Sequence, residues 1–279
     1  MRIVIALGGN ALLLRGEGPD AEVQRANVVR VATAIAPLAH DHDIVLTHGN
    51  APQLGLLAGE SAADPALTAP YPLDLLGAQT QGLIGSLLAR ALRDALPGRR
   101  IAALVTHTLV RPDDPAFDRP TAEDAGGRRR AVASPAPERI LEAETVRDLL
   151  ASGTLVICSG GGGIAVTADR GLLHSTEGVV DKDLAAALLA EDLKADFLLI
   201  LTNVPNVYAH YGTRGQRPVL DATPAGLREG RYAEGSMGPK AEAAARFVEH
   251  TGGLAAIGCL DAAYEIVHGM SGTLVRPDL

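Results

Sequence analysis

Short apolar runs with almost no charge recur along the chain, and three of them lead into glycine-bearing loops. Arg2 to Leu7, Asp43 to Thr47, Ile101 to Val105, Thr154 to Cys158, Asp196 to Thr202, Leu254 to Gly258 and Gly272 to Val275 are nearly continuous in apolar residues. That is the pattern of strands buried on both faces. Longer segments of helical period lie between them. From Asp20, a capping residue preceded by Pro19, the residues Val23, Ala26, Val29, Val31, Ala34, Ile35 and Leu38 repeat at helical spacing. Leu73 to Arg93 predicts one long helix, and Glu138 to Ser152 another, ended by Gly153. Val179 opens a helix running through Glu191, and Ser236 to Lys240 open an Ala-rich helix reaching His250. Gly77, Gly82 and Gly85 sit inside the long helix, where each costs about 1 kcal/mol relative to Ala, so they predict close approach of a neighbour. Leu109 to Ala133 lacks periodicity and reads as a loop, Asp169 to Glu177 as a connector or hairpin, and Leu227 to Gly235 as a polar irregular stretch.

Strand, glycine loop and helix in alternation imply an α/β fold with a mostly parallel sheet, helices on both sides and loops gathered at the carboxyl edge. Three such loops follow strands: Gly8-Gly9-Asn10, the run His48 to Gln53, and Ser159 followed by four glycines. Residues without Cβ let backbone N–H groups approach an anion and adopt positive φ without strain, and the carboxyl edge is where open parallel sheets bind ligands. His48, between a strand and a glycine, reads as a hydrogen-bonding loop residue rather than a catalytic base.

Composition narrows the function. The 279 residues are 47% hydrophobic with 3% aromatic and no Trp, so a sizeable core is packed from Ala, Val, Leu and Ile. A net charge of -8 with scattered arginines argues against a nucleic-acid surface. No apolar run approaches the length of a membrane span, and the N-terminal MRIVIALGGNALLL reads as a first strand rather than a signal peptide. Cys158 and Cys259, both in apolar sequence, read as core residues of a cytoplasmic protein.

The basic residues carry the sharpest signal: 22 are Arg and three are Lys, at positions 182, 194 and 240. A compact ammonium suits a site beside a migrating phosphoryl group, where a planar guanidinium fits poorly. Lys182 in VDKD and Lys240 in SMGPK are therefore the candidate catalytic residues, with Asp183, and also Asp181, placed to hold them or to assist a bound Mg²⁺; Lys194 reads as a surface charge. Neither GxxxxGK[ST] nor a well-placed GxGxxG occurs, which disfavours P-loop and dinucleotide-binding folds. Glycine loops plus isolated lysines supply positioning and charge neutralisation without a general base, which is what phosphoryl transfer requires.

Nine blocks, IALGGNAL, THGNAPQLG, PLDLLGAQTQGLIG, DDPAF with a following PT, RRRAVASPAPERI, SGGGGIAV, VVDKDLAA, LILTNVPNVY and GSMGPK, occur in order over nearly the whole chain and together resemble the carbamate kinase branch of the amino acid kinase superfamily. The resemblance implies a three-layer α/β/α sandwich around a mainly parallel sheet of about eight strands. It implies a homodimer, an acceptor lobe at residues 1–178 and a nucleotide lobe at 179–279 on one continuous sheet. Gly9, Asn10, Gly49, Asn50, Ser159, Gly160 and Gly161 would contact a small-acid substrate, and Gly8, Gly162, Thr202, Asn203, Tyr208, Met237 and Pro239 the nucleotide. The reaction implied is reversible transfer between ATP with Mg²⁺ and carbamate, giving ADP and carbamoyl phosphate. A different small carboxylate or phosphonate acceptor, or a weakly active sensor of nucleotide or carbamoyl phosphate, are the alternatives. The chain departs from the family at Ala51 and Asn203, and above all at 111–133, where a protruding lid is shortened to AEDAGG. Ala122 stands there in place of a lysine, and Arg128, Arg129 and Arg130 are candidates to replace it.

Overall fold

A computed structural model describes residues 1–14, 16–120, 122–123, 131–230, 232 and 236–278; of Asn10, Ala122, Glu123 and Ala131 the backbone alone is described. Strand β1 (Arg2–Leu7) leads through a single 3₁₀ turn at Gly9–Ala11 to helix α1 (Ala21–Asp41) and strand β2 (Asp43–His48). Asp20 has the extended backbone of a capping residue, but its side chain caps nothing, contrary to the sequence expectation. Helix α2 (Ala51–Ala63) follows β2 at once, so the loop expected over His48 to Gln53 is confined to Gly49 and Asn50. Pro52 in the first turn of α2 has no N–H to leave unpaired there.

Helix α3 (Leu73–Ala95) is the long helix predicted. Of its glycines, Gly85 lies where a Cβ would stand 3.1 Å from Ala103, and Gly77 where it would meet Ile164 at 3.4 Å. Gly82 faces open space, so close packing does not explain it. Strand β3 (Ile101–Ala103) stops early and the chain resumes as β4 (His107–Val110), which takes Leu109 and Val110 out of the expected loop. Short β5 (Ala122–Glu123) and β6 (Ala131–Val132) pair antiparallel, and residues 124–130 with the three arginines lie outside the described residues.

The helix expected over Glu138 to Ser152 is two elements. Pro137–Ile140 is strand β7, antiparallel to β4, and α4 (Ala143–Ala151) begins after it. Its end matches expectation. Gly153 takes φ 78°, its N–H donates to Leu150 O (2.8 Å), and Thr154 N–H donates to Leu149 O (3.0 Å), closing a Schellman motif.

Beyond it run β8 (Leu155–Ile157), the hairpin β9 (Ile164–Asp169) and β10 (Leu172–Val179), α5 (Lys182–Asp192) and β11 (Phe197–Thr202). Strands β12 (Val207–Ala209), β13 (Arg217–Val219) and β14 (Asp221–Ala222) precede α6 (Pro224–Arg228) and α7 (Met237–Thr251). Strand β15 (Leu254–Cys259), α8 (Ala263–Val267) and β16 (Thr273–Val275) complete the chain.

The main sheet has eight strands in the order β14-β16-β15-β11-β1-β2-β8-β3, and β15 with β16 is its one antiparallel pair among the described residues. Side chains alternate across β1. Val4 and Ala6 pack with α4, α5 and α7, whereas Ile3, Ile5 and Leu7 pack with α1, α3 and α8. Two apolar faces each covered by helices give the expected three layers, with the smaller sheet β10-β9-β4-β7 at one side.

Register brings the loops together. Leu7 pairs with both His48 and Leu201, and Leu46 pairs with Ile157, so the carboxyl ends of β11, β1, β2 and β8 are level. The ladder continues one step further: Gly8 N–H donates to Leu201 O (2.9 Å), Gly49 N–H to Leu7 O (3.0 Å) and Cys158 N–H to Leu46 O (3.0 Å).

Leu199 and Phe247 are fully buried on opposite faces of the sheet. Leu199→Ala is expected to cost about 2–5 kcal/mol and Phe247→Ala about 3–5 kcal/mol. Urea unfolding checks both, and midpoints matching the parent protein would contradict the packing described.

Candidate functional site

The first turn of α5 is set by Asp181, whose carboxylate accepts from the N–H groups of Asp183 (2.9 Å) and Leu184 (3.0 Å). This cap fixes where the next two side chains go. Asp183 is 2% exposed and points into the fold, where Lys182 Nζ donates to its Oδ1 (2.5 Å) and Lys240 Nζ, from the first turns of α7, to its Oδ2 (3.1 Å). Lys240 Nζ also donates to Ser236 O (3.3 Å). The two lysines singled out by their rarity are therefore brought to one carboxylate across 57 residues.

Charge and burial oppose each other here. Burial pulls the Lys182 ammonium below its ordinary pKa, while Asp183 works against that fall. Burial alone would raise the Asp183 carboxyl, but the charges of Lys182 and Lys240 outweigh it and hold the group below the usual carboxylate range. Asp181 is raised, by burial and then by the charge of Asp183. One carboxylate between two ammonium groups leaves positive charge unbalanced among these three, at the positive end of a helix dipole. The group is poised for an anion.

The three glycine loops meet beside it. A Cβ on Gly49 would stand 2.8 Å from Gly9 N and 3.3 Å from Lys182 Cδ, so the first two loops touch and Lys182 passes over them. A Cβ on Gly160 would strike His48 Nε2 at 2.6 Å, and one on Gly161 would strike the Asn50 amide at 2.3 Å. Ser159 itself is left-handed (φ 48°), fully buried, and its Oγ has no partner among the described residues. Gly161 and Gly162 take φ of 64° and 88°. The N–H groups of Gly9, Gly160 and Gly161 have no acceptor among the described residues, as anion-binding amides require.

His48 is the last residue of β2, buried, with Nδ1 3.0 Å from Gly49 O. Burial, aided by the charge of Lys182, lowers its pKa to about 4, so the neutral ring donates Nδ1–H to that carbonyl. This is the hydrogen-bonding role expected from sequence. Asn50 Nδ2 donates to Thr80 Oγ1 (2.8 Å), which fixes the amide against Gly161.

The residues expected to bind nucleotide lie at the same edge but are less tightly joined. Gly8 bonds to the end of β11, where Thr202 and exposed Asn203 follow. Met237 and Pro239 stand in the first turn of α7 beside Lys240, and Met237 packs on the core. Tyr208 on β12 has its ring centroid 6.3 Å from that of Tyr211. Gly162 faces the backbone of Val180, just before α5. Gly235 and the side chain of Asn10 lie outside the described residues.

Sequence reasoning passed over Gln81, Thr106 and Thr108, all buried around the third loop. Two buried polar residues, Thr80 and Gln81, on an otherwise apolar face of α3 were the available signal. Cys158 is buried, its thiol pushed up to about 12 by burial, and it plays the inert core role expected.

A model described as the amino acid kinase family matches residues 1–257. The chain belongs to the amino acid kinase family. Within that family it is 44% identical over 302 positions to the carbamate kinase of Rhizobium meliloti (strain 1021), covering 99% of this chain and 93% of that protein. The carbamate kinase of Escherichia coli (strain K12) is 42% identical, with 98% of each covered. The structure of carbamate kinase from Giardia lamblia bound to AMP-PNP superposes with a TM-score of 0.93 at 35% identity, covering 99% of this chain and 98% of that one.

A histidine whose folded pKa lies below its ordinary 6.5 adds stability in full above that value, and the stability is lost as pH falls toward about 4. The loss at His48 is expected to be roughly 3 kcal/mol. Urea unfolding at pH 7.5 and 4.5 should show a smaller acid loss in His48→Gln than in the parent; equal losses would contradict a buried neutral ring.

Proposed function

We propose that this amino acid kinase is a carbamate kinase, catalysing ATP + carbamate = ADP + carbamoyl phosphate in either direction. The observation that carries the reading is the pairing of Lys182 and Lys240 on Asp183 next to three glycine loops, in a chain 44% and 42% identical to carbamate kinases along nearly its full length. A carbamate oxygen attacks the γ-phosphorus as the bond to the ADP oxygen breaks. The attacking carboxylate carries no proton to remove, so no general base is needed. Lys182 and Lys240 neutralise charge on the migrating group, and the open amides of Gly9, Gly160 and Gly161 orient its oxygens. Asp183 positions the ammonium groups.

Gly49, Asn50, Ser159 and the loop after it face the acceptor in this scheme, within a lobe of residues 1–178. Residues 179–279 hold the nucleotide, through Thr202, Asn203, Tyr208, Met237 and Pro239, with Gly8 and Gly162 at the junction. Mg²⁺ enters as part of the nucleotide substrate, bound to its phosphates. Both oxygens of Asp183 are already taken by ammonium groups and one oxygen of Asp181 caps α5, so neither carboxylate is wholly free to hold a resident ion. The cytoplasm, where nucleotide is supplied, is the compartment that fits. The protein works as a homodimer, for which Leu75 and Leu173, 49% and 54% exposed and lining one shallow cavity, supply apolar surface; a monomer in sedimentation would refute this.

The alignments with the relatives run to 302 and 296 positions, longer than the 279 residues here, so those relatives carry residues this chain lacks. The lid read from the sequence as shortened at 111–133 favours a second reading as a weakly active binder of nucleotide or carbamoyl phosphate. Formation of ATP from ADP and carbamoyl phosphate separates the two. Turnover that falls about 100-fold or more in Lys182→Ala, and is not restored by Lys182→Arg, supports the enzyme. Nucleotide binding without turnover in the parent protein supports the binder.

A further inference from the structure

Thr106, in the turn between β3 and β4, holds both ends of the third glycine loop. Its hydroxyl accepts the N–H of Ser159, where the loop begins (2.9 Å), and its carbonyl accepts the N–H of Ile164, where the loop ends (2.9 Å). Thr106 is in turn clamped by one side chain from α3. Gln81 Oε1 accepts from Thr106 N–H and from its hydroxyl, each at 3.0 Å, and Gln81 Nε2 donates to Thr106 O (3.1 Å). Thr106 and Thr108 are fully buried and Gln81 is 3% exposed. Thr108 Oγ1 donates to Gly162 O (2.6 Å), pinning the middle of the same loop. The Gln81 stem lies under Gly160, where a Cβ would come within 2.9 Å of its Cγ.

We infer that Gln81 and Thr106 are positioning residues for phosphoryl transfer, setting the height of the Gly160 and Gly161 amides against the lysine pair. The inference rests on the carbamate kinase reading for its kinetic effect, but the geometry it describes exists without turnover. Fully satisfied buried polar clusters are rigid, because any displacement strands a polar group without water. Loop amides aimed at a migrating phosphoryl group act only if they are held before the reaction begins. Nothing else in Gln81 demands a polar side chain on this face of α3: every polar atom of its amide is spent on Thr106.

Thr106→Val removes the hydroxyl at nearly constant volume, Thr106→Ser keeps it, and Gln81→Met removes the clamp while leaving the bond from Ser159 to Thr106 in place. Expected in Thr106→Val and Gln81→Met is a fall in kcat of about tenfold or more with nucleotide KM unchanged, and near-parent kcat in Thr106→Ser. Amide hydrogen exchange over residues 159–164 is read on the same proteins and is expected to quicken in Thr106→Val and Gln81→Met but not in Thr106→Ser. Parent-like kcat and parent-like exchange in both disruptive variants would overturn the inference. So would the unfolding of both, which would make the cluster a requirement for folding rather than for placement. A parent protein without turnover defeats the carbamate kinase reading alone, and exchange then decides this one.

Discussion

A single buried carboxylate between two ammonium groups organises the site. Asp183 is shared by Lys182 and Lys240, which are thereby held at fixed positions, and Asp181 adds a second carboxylate close to Lys182. The desolvation cost of so many ionised groups in one buried place is large. What sustains it is its surroundings. Asp181 secures the turn that aims Lys182, α7 carries Lys240 over from the far end of the chain, and the apolar contacts of α5 with α7 keep the two helices together. In the proposed reaction the ammonium groups, already ordered before substrate arrives, would face the phosphates of the nucleotide.

The glycine loop between β8 and β9 meets the lysines on equally narrow terms. Gly161, Gly162 and Gly163 all take positive φ, and the space where each Cβ would stand is filled by a different neighbour: the Asn50 amide, the Val180 carbonyl and the Thr108 hydroxyl. Glycine is demanded twice over, by conformation and by room. The result is a loop that is rich in glycine yet packed on three sides, so its amides stay in place although its composition alone would suggest freedom.

Much of this is legible in the residues themselves. Continuous apolar runs marked the central strands because a parallel sheet buried on both faces needs no alternation. Lysine stood out because arginine serves elsewhere, and Lys182 and Lys240 do converge. The failures have local causes. Pro137–Ile140 is too short to show a period, and it adjoins a real helix, so the helical pattern of α4 was extended backward over it. Asp20 has the right chemistry for a cap, but its side chain does not reach the helix amides. The clamp of Gln81 on Thr106 joins residues 25 apart in sequence, on elements whose own periodicities say nothing of each other. Polar residues inside an apolar face were the trace it left.

The place of β1 in the sheet shapes how the protein is made. Arg2–Leu7 is synthesised long before Phe197 to Leu201, with which one of its two edges pairs. Until that partner is synthesised, an apolar strand at the heart of the domain has an open flank inviting a foreign one. Closing so long a loop is slow, so that edge of the strand stays open to mispairing until the domain closes.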